Sequence, residues 1–287
     1  MIIHTIPTPS SPLIIEAEPF TREAFAPFGQ AINNPRPDLI PSPSSSSSAA
    51  VASAGFGAVS ANQGTAIQYR ALASVREFYA QAPSGRPGTP RMTMFVCGAR
   101  EEVGASLVGG EARGKVNGKA KGKEYPVGVL ERHPFTSQTF IPLGGAGAAA
   151  RYLVVVAPSL GPTERDAALP VPTLPFSPAG GVPHPHPQPP LPGRGLPDLR
   201  ALRAFVATGA QAVTYGPGTW HAPMMALGAP GEALDFLVVQ FANDVPVEDC
   251  QEVVLRTAGD GEGGGDKGPS VVVRVRGVDG EKGGARL

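Results

Sequence analysis

Two short stretches hold the residue types that proton-transfer or metal chemistry needs. One runs Glu131, Arg132, His133 and on to Gln138 and Gly145; the other is Pro217, Gly218, Thr219, Trp220, His221. In extended backbone side chains alternate, so Glu131 and His133 share a face and Arg132 takes the other. Gln138 follows inward on the next strand, and His221, after a Pro-Gly turn, closes the same pocket. As ligands, Glu131, His133 and His221 form a two-histidine, one-carboxylate set of the type that binds Zn, Ni, Mn or Fe. As catalysts, His133 or His221 acts as acid or base near an unperturbed pKa of ~6.5, oriented by Glu131 and Gln138. A neutral amide at 138 weakens any divalent-cation site, so no cofactor is assigned and a divalent metal is the alternative.

A second polar group is Asn62, Gln63 and Gly64, followed by Tyr69 and Arg70. Asn and Gln pair donors with acceptors as a urea-like group requires, and Arg70 or Arg132 can grip a carboxylate with two parallel hydrogen bonds. The same Asn-Gln-Gly also reads as a plain turn. Tyr215 and Trp220 flank the second histidine stretch and are candidate substrate-contacting aromatics. His184 and His186 sit in a polyproline segment with no opposing ligand, and His4 is near the terminus; none enters the site. Cys97 and Cys250 have no metal spacing and read as reduced thiols.

The elements that must position these groups are mostly strands. Short β-branched and aromatic runs at 13–17, 91–97, 127–131, 137–141, 151–157, 202–206, 211–215 and 234–241 are bounded by Gly and Pro, which points to a sandwich or barrel. Helices are few. Thr21 can cap one through Phe28 with Gly29 at its end, and Ser74 to Glu77 has capping-box spacing. With 37 Gly and 33 Pro, the low-complexity stretches at about 35–50, 84–90, 98–122 and 158–195 read as mobile loops in a single domain over 1–256. The 257–287 tail is Gly-rich, with Val271–Val275 a candidate edge strand.

The chain has 287 residues with 24 basic and 24 acidic side chains. A formal charge of zero gives no field for nucleic acid or an anionic membrane, and favours a small ligand. No signal peptide or membrane span is evident, so the expectation is a cytoplasmic protein, with Ala285-Arg286-Leu287 a variant of the peroxisomal address.

The spacing of Glu131, His133, Gln138 and Gly145 keeps that of the cupin pattern H-x-H-x4-E-x6-G while changing its ligands. The 158–195 insertion accounts for the long separation of His133 from His221. Beyond that frame, Leu130 to Leu143, Phe205 to Gly209, Gln211 to Tyr215, Gly218 to Pro223 and Asp235 to Val238 resemble the ureidoglycolate lyase family. Glu23 to Gly29 and Asn62 to Gly64 match its N-terminal part, and the resemblance covers about residues 13–256. It implies an all-β, cupin-like double-stranded β-helix (a jelly-roll barrel), commonly a homodimer, that splits (S)-ureidoglycolate into glyoxylate and urea. On that reading His133 or His221 transfers protons, Arg132 or Arg70 clamps the carboxylate, and Asn62, Gln63 and Gln138 meet the ureido group. Two other readings are a metal-dependent cupin dioxygenase or isomerase, and a non-catalytic metabolite-binding cupin.

Overall fold

The computed structural model describes residues 1–9, 11–43, 45–102, 122–143, 150–175, 189–257 and 269–276. The first strands are β1 (Ile2–Thr8), β2 (Leu13–Pro19), β3 (Gly29–Ile32), β4 (Ala58–Ala61), β5 (Ala66–Tyr69) and β6 (Thr89–Gly98). β7 (Lys123–Pro126), β8 (Val129–Arg132), β9 (Gln138–Pro142), β10 (Arg151–Ala157), β11 (Arg203–Thr208) and β12 (Ala212–Tyr215) follow. The last are β13 (Trp220–His221), β14 (Met225–Leu227), β15 (Ala233–Ala242), β16 (Gln251–Thr257) and β17 (Val271–Val275). Among the described residues three short helices, α1 (Arg22–Phe25), α2 (Ser45–Ala52) and α3 (Pro246–Asp249), complete the α and β elements. None is long and apolar enough to cross a membrane.

The architecture is all-β and cupin-like. Among the described residues one curled sheet runs β1-β16-β8-β13-β10-β11-β2-β17-β7, with β14 also on β10. A second runs β3-β12-β9-β15-β6, and β4 and β5 form a separate hairpin. β10 is almost wholly apolar because both its faces are buried. Tyr152, Val154 and Val156 pack with Phe140, Phe205 and Phe236 between the sheets, while Leu153, Val155 and Ala157 pack with Trp220, Val253 and Val273 inside the curl of the larger one.

Local chemistry explains where the predicted elements hold and where they shift. Thr21 caps α1 through Ala24 N–H at 3.2 Å, but the helix ends at Phe25. Gly29 opens β3 instead of closing the helix: a Cβ there would fall 1.9 Å from Thr214 O on β12, so only glycine permits the pairing. The capping-box spacing at Ser74–Glu77 gives no helix. Its backbone is drawn into other bonds, Arg76 N–H to Ser137 Oγ at 2.8 Å and Ser137 N–H to Arg76 O at 2.9 Å, and Glu77 bridges Thr136. β17 is not an edge strand: it lies between β2 and β7, parallel to the first. Much of the 98–122 stretch, residues 176–188 with His184 and His186, and Ala285–Leu287 lie outside the described residues.

The part of the proline-rich stretch nearest the barrel is fastened by Arg132. Its Nε donates to Gln251 Oε1 at 2.9 Å, Nη1 to Gly193 O and Gly195 O at 2.9 and 3.1 Å, and Nη2 to Arg194 O at 3.0 Å. The guanidinium lies 4.4 Å over the Trp220 ring, whose Nε1 donates to Gly195 O at 3.0 Å. Gly195 is required, because a Cβ would sit 1.8 Å from Leu160 O. Arg132 is fully buried, and Asp166 supplies nearby negative charge. Replacing Arg132 by Ala leaves the buried Gly195 carbonyl and Gln251 amide without their donor, frees the partly buried carbonyls of 193 and 194, and empties the space over Trp220, so urea titration should show a loss of about 3–5 kcal/mol. A loss under about 1 kcal/mol would contradict the clamp.

Candidate active site

Cross-strand register brings the predicted groups together. His221 on β13 stands opposite Glu131 on β8, and Tyr215 on β12 opposite Gln138 on β9. His133 follows β8 directly, in a turn held by Gly218 N–H donating to His133 O at 2.8 Å. The Pro217-Gly218 turn thus ties the two histidine stretches to each other. Gly218 adopts φ +76, a left-handed value that glycine tolerates without strain.

His221 is buried and held on all sides. Its Nδ1 donates to Thr219 O at 2.9 Å, and its Nε2 lies 3.1 Å from Gln138 Oε1 and 3.5 Å from Glu131 Oε1. Gln138 Nε2 donates to Gln240 Oε1 at 2.7 Å, which turns the Gln138 oxygen toward the ring. Tyr215 stacks on His221 at 3.9 Å and 12°, and burial, with help from Tyr152 and Glu131, holds its phenol well above the ordinary value. Tyr215 is therefore a neutral backing plate. Burial alone would raise the Glu131 carboxyl, but His221 and then His133 outweigh it and hold it below the usual range. Cys250 Sγ lies 4.0 Å behind Glu131, its thiol pushed up to about 12 by burial and then by the carboxylate.

His133 is arranged differently. Nδ1 donates to Asp249 O at 2.7 Å, which leaves the Nε2 lone pair free in the neutral ring. That atom is buried and has no hydrogen-bond partner among the described residues. Burial, then the neighbouring His221, lowers the ring's pKa despite Glu131. The ligand atoms of Glu131, His133 and His221 all lie within 4.8 Å of one another, a grouping that could also hold a cation.

A cavity of about 810 Å³ opens over these groups, with Glu131, His133, Gln138, Gln240, Phe95 and Arg100 in its wall. Arg100 and Gln240 were missed by sequence reasoning. Gln240 interrupts the apolar run of β15, which is a readable signal of an inward polar group; Arg100 just past β6 is masked by the charged stretch that follows. The exposed Arg100 side chain has no hydrogen bond or ion pair among the described residues, while its N–H donates to Ala226 O at 2.9 Å and so fixes the backbone.

Several predicted residues lie elsewhere. Arg132 points away from the cavity into its carbonyl clamp, as strand alternation requires, and Trp220 lies with it in the core. Asn62, Gln63 and Arg70 belong to the exposed β4–β5 hairpin and do not line the cavity. Asn62 and Gln63 form its turn at φ +48 and +52, with Thr65 donating to Asn62 O, and Arg70 Nε pairs with Gln68 at 3.2 Å.

The chain is similar to proteins of one kind along most of its length. A family profile described as ureidoglycolate lyase matches residues 12–259. A ureidoglycolate lyase of Saccharomyces cerevisiae is 32% identical over 195 residues, covering 67% of this chain and 75% of the relative. That of Schizosaccharomyces pombe is 29% identical over 242 residues, 83% and 89% of the two chains, and that of Burkholderia cepacia 29% over 247, 85% and 88%. With its barrel, its paired histidines and this match, the chain belongs to the ureidoglycolate lyase family.

Proposed function

We propose that this chain is a ureidoglycolate lyase, an enzyme that cleaves the carbon–nitrogen bond of (S)-ureidoglycolate to give glyoxylate and urea. The observation that carries the chemistry is the buried, unpartnered Nε2 of His133 at the cavity wall. The substrate carbon bears a hydroxyl, a carboxylate and a ureido nitrogen. His133 Nε2 takes the hydroxyl proton, the C–O bond becomes a carbonyl as the C–N bond breaks, and the imidazolium returns the proton to the departing nitrogen. Glu131, kept ionised by His221, accepts from the ureido N–H groups, and the Gln240 amide meets the ureido oxygen. Arg100 receives the carboxylate; its guanidinium fork suits two oxygens at once.

His133→Asn should lower kcat about 10²–10⁴-fold, the range for a lost acid/base group. Arg100→Gln should instead raise KM about 10–100-fold, the equivalent of one charged hydrogen-bond pair. Because the His133 pKa is depressed, the neutral base persists as pH falls, so the acid limb of kcat/KM should lie below ~6.5. An acid limb above that value, or one that survives His133→Asn, would falsify the assignment.

One observation favours a second reading. Glu131, His133 and His221 cluster as ligands do, and a divalent cation there would act as a Lewis acid on the substrate oxygen. Dialysis against a chelator, with metal content and glyoxylate release followed together, separates the two: activity that survives complete metal removal supports the proton-transfer reading.

We also infer a homodimer, joined at β6. This edge strand of the smaller sheet is exposed along most of its length, with Met92 69%, Met94 59% and Val96 68% exposed. A long apolar edge invites a second strand. Phe95 and Cys97 on the same strand line the cavity, so a partner there would narrow its mouth. Light scattering should give twice the chain mass, and Met94→Lys with Val96→Glu should shift it to the monomer; an unchanged mass would exclude this edge.

A further inference from the structure

A second cavity, of about 240 Å³, lies at the Gly216–Thr219 turn and shares no lining residue with the first. Its wall includes Phe28, Arg76, Ser159, Leu191, Gly216 and Thr219. Arg76 is only 3% exposed, yet its side chain makes no hydrogen bond or ion pair among the described residues, and its Nε is buried without a partner. Its backbone is fastened to Ser137 on both sides, so the residue is anchored where it stands. Gly216 leaves the space the guanidinium occupies: a Cβ there would come 3.2 Å from Arg76 Nη2. Glu77, the adjacent acid, is turned to Tyr79 N–H at 2.9 Å. Ser159 Oγ is a second buried polar atom with no partner.

A buried guanidinium without a counter-charge costs several kcal/mol. Arg132 shows the usual remedy in this same chain, with four hydrogen bonds to oxygen. Arg76 has a cavity instead. We propose that this cavity is a binding site for a small oxoanion, gripped by the Arg76 guanidinium through two oxygens and by Ser159 Oγ through a third contact. The fork geometry selects a phosphate or carboxylate group over a spherical halide. The site stands apart from the reaction, so its test does not depend on the lyase reading.

Titration calorimetry of the full chain, first in phosphate-free buffer, with inorganic phosphate and separately with acetate, tests it. One ion per chain should bind in at least one of the two arms, and which arm binds tells a phosphate site from a carboxylate site. Arg76→Met should weaken that binding at least 10-fold, Ser159→Ala about 3-fold, and Arg100→Gln, in the other cavity, less than 2-fold. Should Arg76→Met not fold, the Ser159→Ala and Arg100→Gln pair still decides. Absence of binding in both arms overturns the proposal, as does binding that is lost with Arg100 but kept with Arg76 or Ser159 altered.

Discussion

A polar group taken out of water must find a partner, and the active-site end of the barrel is organised by that rule. His221 meets Thr219 at one nitrogen and the Gln138 and Glu131 oxygens at the other, and Gln138 is in turn held by Gln240. Each of these groups is oriented by a neighbour that is itself wholly or partly buried. The chain of satisfied bonds runs across β13, β9 and β15, so it also pins three strands from two sheets in register. Against this background the open nitrogen of His133, like the Tyr215 hydroxyl, departs from the rule. One nitrogen is tied down and the other is left open where a substrate would lie.

How much of this was legible depended on whether position along a strand decides the outcome. Glu131, His133, Gln138 and His221 converge because alternation and barrel spacing are local rules, and those rules also turn Arg132 away from them. Arg100, the proposed carboxylate contact, could not be found that way. An arginine just beyond a strand end is one of many cations in a charged stretch, and only the closed sheet shows that Arg100 faces the cavity. Asn62 and Gln63 had the right chemistry for a ureido group but sit in an exposed turn, where the left-handed backbone accounts for their side-chain types. The capping-box spacing at Ser74 failed for a tertiary reason, since its backbone bonds were claimed by Ser137 and Thr136.

The proline-rich stretch between β10 and β11 leaves the barrel's logic intact. The described residues on either side of 176–188 are fastened at both ends of the stretch: Asp166 caps Thr163, Gln81 accepts from Thr173 and Leu174, and Arg132 collects the carbonyls of 193–195. Arg132 and His133 are adjacent in sequence yet serve opposite sides of one strand end. A single residue step therefore separates the group that faces the cavity from the group that anchors the proline-rich segment.

The placement of β17 bears on how the molecule is made. It fills the space between β2 and β7, and β1 pairs with β16, so strands from the two ends of the chain are neighbours in one sheet. Until residue 275 has left the ribosome, β2 and β7 each present an open edge, and the core inside the larger sheet lacks Val271, Val273 and Val275. Pairings this distant in sequence close slowly. Closure of the larger sheet must then wait for this segment, and until it docks the edges of β2 and β7 stay open to strand-edge association.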